Sequence, residues 1–190
     1  MAIRTHHLTF PLTADSARTL RAGDMVVMSG EIIVTAGLPT HHRLIGCLDG
    51  VEPMPMDLNG ASVFHLGSYS EEKDGAFEIL YINPTTSTRF NAVMPRLIEG
   101  FNWHATGGKG GLDRPCVEAL QRVGGVYLSF LGGGATLHTK AIRRVIEVGW
   151  SDMLIHYRLV RLQVENLGPV TVAIDSHGVS LYDVIRTAAD

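Results

Sequence analysis

Three short loops in this chain concentrate the side chains able to hold and reshape a small anion. In Asn83-Pro84-Thr85-Thr86-Ser87-Thr88-Arg89, a run of hydroxyl residues precedes an arginine. Ahead of a helix, hydroxyls and unpaired backbone N–H groups suit a carboxylate or phosphate. Arg89 adds a planar, bidentate donor for the same anion. In Thr106-Gly107-Gly108-Lys109-Gly110-Gly111-Leu112, glycines on both sides of Lys109 let backbone approach a ligand closely and leave the ammonium as a point charge. This is not a P-loop, because Gly110 stands where a Ser or Thr would follow the lysine. In Thr35-Ala36-Gly37-Leu38-Pro39-Thr40-His41-His42-Arg43, His41 falls just inside a helix N-terminus, where the dipole favours nearby anions and a neutral imidazole. His41 and His42 point in different directions from a helix and do not make a metal pair. Bland readings stand beside these: a packed or solvated histidine, and an ordinary N-cap cluster with a surface arginine. Hydroxyl, guanidinium and ammonium groups together suit a small carboxylic-acid substrate.

The rest of the sequence bounds what such loops can serve. With 190 residues, 45% of them hydrophobic, the chain can bury a full core and reads as a single domain spanning residues 1–190. Charged residues make up only 18%, which suggests that part of the surface faces another subunit. A net charge of -3 and the lack of a Lys/Arg run argue against nucleic acid as a partner. No stretch approaches the ~20 apolar residues of a membrane span, and the N-terminus has no continuous apolar run of a signal peptide. Cytoplasmic is the expected location. Two cysteines, Cys47 and Cys116, lie far apart in sequence, too few to hold a four-iron cluster by themselves.

Patterning predicts an α/β fold with a mixed sheet and helices on its outer faces. A helix is expected over residues 13–21, then strands over 25–28 and 31–35 broken at Gly30. Thr40 is the expected N-cap of a helix through Leu44, Ile45 and Leu48. Residues 61–66 and 76–81 read as a strand pair around the polar turn 71–75. Phe90, Val93, Met94, Leu97 and Ile98 read as a helix that Pro95 either kinks or delays. A strand is expected over 101–106, a helix over 115–123 and a buried strand over 126–130. Residues 135–148 form the longest helix candidate. Strands over 157–164 and 170–174 and a closing helix over 180–187 complete the pattern.

Several strings, in order along nearly the whole chain, resemble the β-subunits of class I fumarases and L(+)-tartrate dehydratases. Pro84-Thr85-Thr86-Ser87-Thr88-Arg89 resembles their PTTSxR segment, and Gly108-Lys109-Gly110-Gly111 is similar to their GKGG segment. Met56-Asp57-Leu58-Asn59-Gly60-Ala61, Phe64-His65-Leu66-Gly67 and Ile174-Asp175-Ser176-His177-Gly178 are similar to further family strings. The resemblance implies a swivelling β/β/α domain that closes over a [4Fe–4S] cluster held by cysteines of a larger α-subunit, with none on this chain. The open iron would act there as a Lewis acid on the departing or arriving hydroxyl. The matching positions imply Thr85 as a proton-transfer residue and His41 as an active-site histidine. They also imply substrate binding by Arg89, Lys109 and their neighbours Thr86, Gly108 and Gly110. The expected assembly pairs this chain with an α-subunit and with a second copy of itself in a heterotetramer. A catalytically inactive small-acid-binding or regulatory module that keeps the anion pocket is the alternative.

One departure bears on specificity. Where the family pattern carries an Arg-Asp pair before the histidine, this chain has Gly37-Leu38. The loss implies a wider, less polar pocket edge and a preference for an acid with an apolar or bulkier group over fumarate, malate or tartrate.

Overall fold

In a computed structural model that describes residues 3–183, strands and helices alternate around one large sheet. β1 (Thr5–Phe10), β2 (Met25–Val34), β3 (Ser62–Phe64), β6 (Ala105–Gly108) and β7 (Val126–Ser129) are parallel neighbours in that order. The long β9 (Leu159–Ile174) runs antiparallel to β7 and also to β2, so the run from β2 through β7 closes on itself. β8 (Ile142–Gly149) borders β9, and β4 (Leu66–Lys73) and β5 (Ala76–Pro84) form a separate two-stranded hairpin. The observed class is the predicted one, a mixed α/β sheet with flanking helices.

Two apolar layers line the sheet. One joins Val26, Met28, Val34, Phe64 and Leu128 to Leu162 and Val164 of β9 around the strand interior. The other packs α2 (Leu38–Leu48), α3 (Met94–Gly100) and α4 (Arg114–Val123) onto the opposite face through Leu44, Leu97, Trp103 and Leu120. α1 (Ala14–Arg18) is capped by the Thr13 hydroxyl, and α4 by the Asp113 carboxylate, each taking a first-turn N–H.

Several element boundaries differ from expectation for identifiable reasons. Gly30 does not break a strand. It sits inside β2 at φ +112°, where a Cβ would meet the Phe10 carbonyl oxygen at 2.3 Å. The hairpin turn is only Asp74-Gly75, both at positive φ, so Glu71, Glu72 and Lys73 belong to β4. Residues 61–66 split at His65 between the main sheet and the hairpin. Gly37, not Thr40, caps α2, with Pro39 in the first turn. α3 starts late, at Met94, and Pro95 takes a first-turn position that needs no N–H donor. Over residues 101–106 only the end is strand, and β6 extends through Gly108.

The largest correction is residues 135–148, which form α5 (Ala135–Lys140) followed by β8. Ile142, Val145 and Val148 recur every three residues, as a helix face would. In the sheet that spacing comes from register shifts between Ile142 and Arg144 and between Val145 and Glu147. Each shift sets an extra residue against β9, so inward side chains recur at three instead of two. The two expected strands after residue 157 are one strand, β9. The closing helix is seen at residues 181–183, and its remainder lies outside the described residues.

Candidate active site

The parallel strands all point the same way, and two of the three polar loops leave from their carboxyl ends, the third from the end of the hairpin. Loops there collect ligands in α/β sheets because the strands hold them rigidly and nothing covers them. Thr35 follows β2, Lys109 follows β6, and Thr85 follows β5 of the hairpin.

Backbone pairing fixes two of the loops to each other. The Lys109 N–H donates to the Thr85 carbonyl at 3.0 Å, and the Ser87 N–H donates to the Lys109 carbonyl at 2.9 Å. Thr86 and Lys109 form a parallel bridge. The close approach needs Gly108. A Cβ there would meet Ser87 Oγ at 2.4 Å, His65 Cβ at 2.9 Å and the Thr85 carbonyl oxygen at 3.0 Å. Gly110 turns the chain at φ +71°, and its carbonyl accepts from Tyr127 Oη at 3.0 Å and from Tyr182 Oη. Tyr127 Oη also lies 2.8 Å from Ser87 Oγ, which in turn lies 2.8 Å from His65 Nδ1. Burial pushes the Tyr127 phenol well above its usual range, so it stays a neutral donor in this buried chain of contacts.

Arg89 joins the third loop. Its Nη2 donates to Thr85 Oγ1 at 2.9 Å and to the Ala36 carbonyl at 3.2 Å, and its Nε donates to the Thr86 carbonyl at 3.4 Å. Its guanidinium carbon also lies 5.2 Å from the centre of the Phe90 ring. Held by these oxygens and the ring face, Arg89 keeps its fork beside the Thr85 hydroxyl.

Beneath this group lie two buried histidines. The His41 ring stacks on Phe90 with centroids 4.1 Å apart and planes 8° apart. His65 sits 4.4 Å from Phe90 and 5.1 Å from His41. Burial is the main cause that lowers His41 to about 4, with the Gly37 carbonyl bond opposing it and His42 and Arg89 adding to it. Burial, His41 and Arg89 likewise hold His65 well below the usual imidazole value. A neutral His41 donates Nδ1–H to the Gly37 carbonyl at 2.6 Å, and the Nε2 atoms of both rings have no hydrogen-bond partner among the described residues.

A cavity of about 270 Å³ opens beside Arg89. Thr85 and Arg89 give it a polar lining and Tyr81, His156 and Tyr157 an aromatic one, with Asn83, Pro84, Ala36 and Gly67 completing it. Of the residues singled out from sequence, Thr85 and Arg89 therefore meet at the cavity. Thr86, Gly108, Lys109 and Gly110 belong to the paired loops and do not line the cavity, and the Lys109 stem runs beside Gly132. His41 is fully buried below the wall and does not line it. Sequence reading singled out neither Ser87 as the link between His65 and Tyr127 nor the aromatic side of the cavity. His65 stands in one of the family-like strings, and its neighbours are visible only in three dimensions.

The expected widening at Gly37 needs correction. A Cβ at that position would meet Thr40 Oγ1 at 2.2 Å and Tyr157 Cβ at 2.8 Å. The Thr35 hydroxyl donates to the Tyr157 carbonyl at 3.2 Å, and the Thr40 hydroxyl donates to it as well. Tyr157 fills the space, so the replacement by Gly37 opens no wider pocket there.

The cysteines do not fit a cluster. Cys116 is buried against Asn91, with burial and Asp113 raising its thiol far above the usual value. Burial also raises Cys47, whose Sγ–H faces the Pro53 carbonyl. Neither is a ready thiolate, and no group of three His, Cys, Asp or Glu able to hold a metal ion occurs among the described residues.

The chain is 35% identical over 92% of its length to a Methanocaldococcus jannaschii protein named "Putative L(+)-tartrate dehydratase subunit beta", covering 90% of that relative. It is 30% identical over 92% of its length to the L(+)-tartrate dehydratase subunit beta of Escherichia coli, covering 85% of it. A Geobacillus stearothermophilus protein named "Putative fumarate hydratase class I" is 32% identical over 96% of this chain, which spans only 34% of that longer relative. Residues 3–185 match the family model described as the fumarase C-terminus, and the chain belongs to that family.

Proposed function

We propose that this chain is the β-subunit of a hydro-lyase that reversibly removes water from a small hydroxy acid, and that it works only with an α-subunit. The observation that carries this reading is the 2.9 Å contact between Arg89 Nη2 and Thr85 Oγ1 at the mouth of the cavity. A guanidinium beside a threonine hydroxyl can bind a carboxylate and stabilise the alkoxide form of the hydroxyl, lowering the otherwise very high barrier to proton transfer there. Lys109, tied to Thr85 through the backbone, adds a second positive charge to the same loop pair.

The chain's share is thus to bind the acid, orient it and handle a proton at Thr85 Oγ1. Buried neutral His41 and His65 support the Phe90–Arg89 platform from below. The [4Fe–4S] cluster implied by the resemblance belongs on the α-subunit, since Cys47 and Cys116 are unsuited to it. The names of the tartrate dehydratase relatives, which describe a subunit beta, support a two-subunit assembly.

Kinetics of the assembled enzyme test the roles. Arg89→Lys keeps the charge but loses the fork, and Lys109→Ala loses a cation. Each should reduce kcat/KM roughly ten- to a hundredfold, the loss of about 1.5–3 kcal/mol of charge-assisted hydrogen bonding. Thr85→Ala should act mainly on kcat, because it removes a group needed in the transition state. Unchanged kinetics in all three variants would place the reaction elsewhere.

A further inference from the structure

The cavity has a second side that proton transfer and carboxylate binding do not use. Tyr81, near the end of β5, stacks on Tyr69 of β4 with ring centroids 5.7 Å apart and planes 9° apart. His156 lies across both rings at 6.0 and 6.2 Å, and its Nδ1 is 2.9 Å from the Ser68 carbonyl oxygen. Tyr157 follows directly, its backbone pinned by Thr35 and Thr40 and its side chain packed over Gly37. The Ala36 N–H donates to the His156 carbonyl at 2.9 Å, while the Ala36 carbonyl accepts from Arg89. One residue therefore ties the aromatic side to the anion-binding side at a fixed spacing.

We infer that Tyr81, His156 and Tyr157 form a specificity wall that selects a small carboxylic acid bearing a planar ring. The inference rests on the proposed function, because it takes the carboxylate to lie at Arg89. A ring seated opposite that carboxylate meets aromatic faces and edges, which favour offset and edge-to-face packing over contact with a saturated group. The volume, about 270 Å³, lies near the lower end of ligand sites, roughly 300 Å³. That leaves space for one ring beside the acid group. An unsubstituted dicarboxylate leaves the wall facing water.

The test uses the full chain together with any subunit that co-purifies with it. Succinate, methylsuccinate and phenylsuccinate, which carry no hydroxyl to eliminate, are titrated by calorimetry. Phenylsuccinate should bind about three- to tenfold more tightly than succinate, with methylsuccinate closer to succinate. Tyr157→Leu should bring the two affinities together, and Tyr157→Phe should keep them apart. Tyr81→Leu, on the exposed hairpin, should narrow the difference without disturbing the Gly37 contact. Equal or weaker binding of phenylsuccinate, while Arg89→Lys still weakens every acid, overturns the wall and leaves the anion site standing. Loss of no affinity in Arg89→Lys, or no binding of any of the acids, overturns both.

Discussion

The two sides of the cavity are built in opposite ways. The anion side consists of consecutive residues whose backbone is locked: Thr85, Ser87 and Lys109 exchange main-chain hydrogen bonds, and Gly108 admits no side chain. The aromatic side is assembled from Tyr69 and Tyr81 on a two-stranded hairpin and from His156 and Tyr157 before β9. Tyr81 is 40% exposed, whereas His41 and His65, beneath the anion side, are fully buried. The proposed function puts the reaction chemistry on the rigid side, where a misplacement of about an ångström matters. Choice among acids is assigned to the side where a single ring can change without moving the other.

Breaking the rigid side should have the largest effect. Gly108→Ala brings a methyl into Ser87 Oγ, His65 Cβ and the Thr85 carbonyl. It should destabilise the fold by about 3 kcal/mol, the upper range for overpacking, and abolish turnover in the assembled enzyme. Denaturant titration and steady-state kinetics check the two effects. Retained activity would show that the paired loops tolerate movement and would remove the contrast between the sides.

Acid should act on the same side. His41 titrates near 4 in the folded chain against an ordinary value of 6.5. The unfolded chain therefore takes up a proton that the folded chain refuses as pH falls from about 6.5 to about 4. Stability tied to a neutral His41 is complete above that window and is lost across it, by roughly 3 kcal/mol in total. His65, lowered for the same reason, adds in the same direction. Unfolding free energy measured across this range should rise with pH, and His41→Phe should flatten the slope. A slope unchanged by that substitution would remove His41 as its source.

The hairpin should respond least. Gly75 lies at φ +78° with open space around its Cα, so Gly75→Ala strains only the turn. A loss of about 1 kcal/mol is expected, or roughly 2–4 °C in Tm for a domain of this size, with Arg89-dependent binding of succinate unchanged. A fall in that binding would mean the hairpin helps set the anion side.

The same contrast explains what the sequence reveals. Thr85, Arg89 and the glycines around Lys109 are legible because close backbone approach and anion binding need those residue types at adjacent positions. The mixed sheet is legible for a similar reason, since short β-branched runs alternate with helical ones. The aromatic wall is not legible, because Tyr69 and Tyr81 meet only through strand pairing and His156 and Tyr157 reach them from a helical turn far along the chain. Residues 142–149 mislead because bulges give a strand the spacing of a helix. The Asp175-Ser176-His177-Gly178 string is visible as a motif, but its Asp175 carboxylate accepts from the N–H groups of His177 and Val179 and closes its own turn.

The central claim is that this chain supplies one half of a hydro-lyase site and a partner supplies the other. It is tested most directly by purifying the chain anaerobically, alone and with its co-purifying subunit. Iron, sulfide and dehydration of hydroxy acids are then measured in both samples. The account predicts no turnover and no stoichiometric cluster in the chain alone, with both present in the complex. Turnover by the isolated chain in the presence of a chelator, or a full cluster bound to it, would contradict the account.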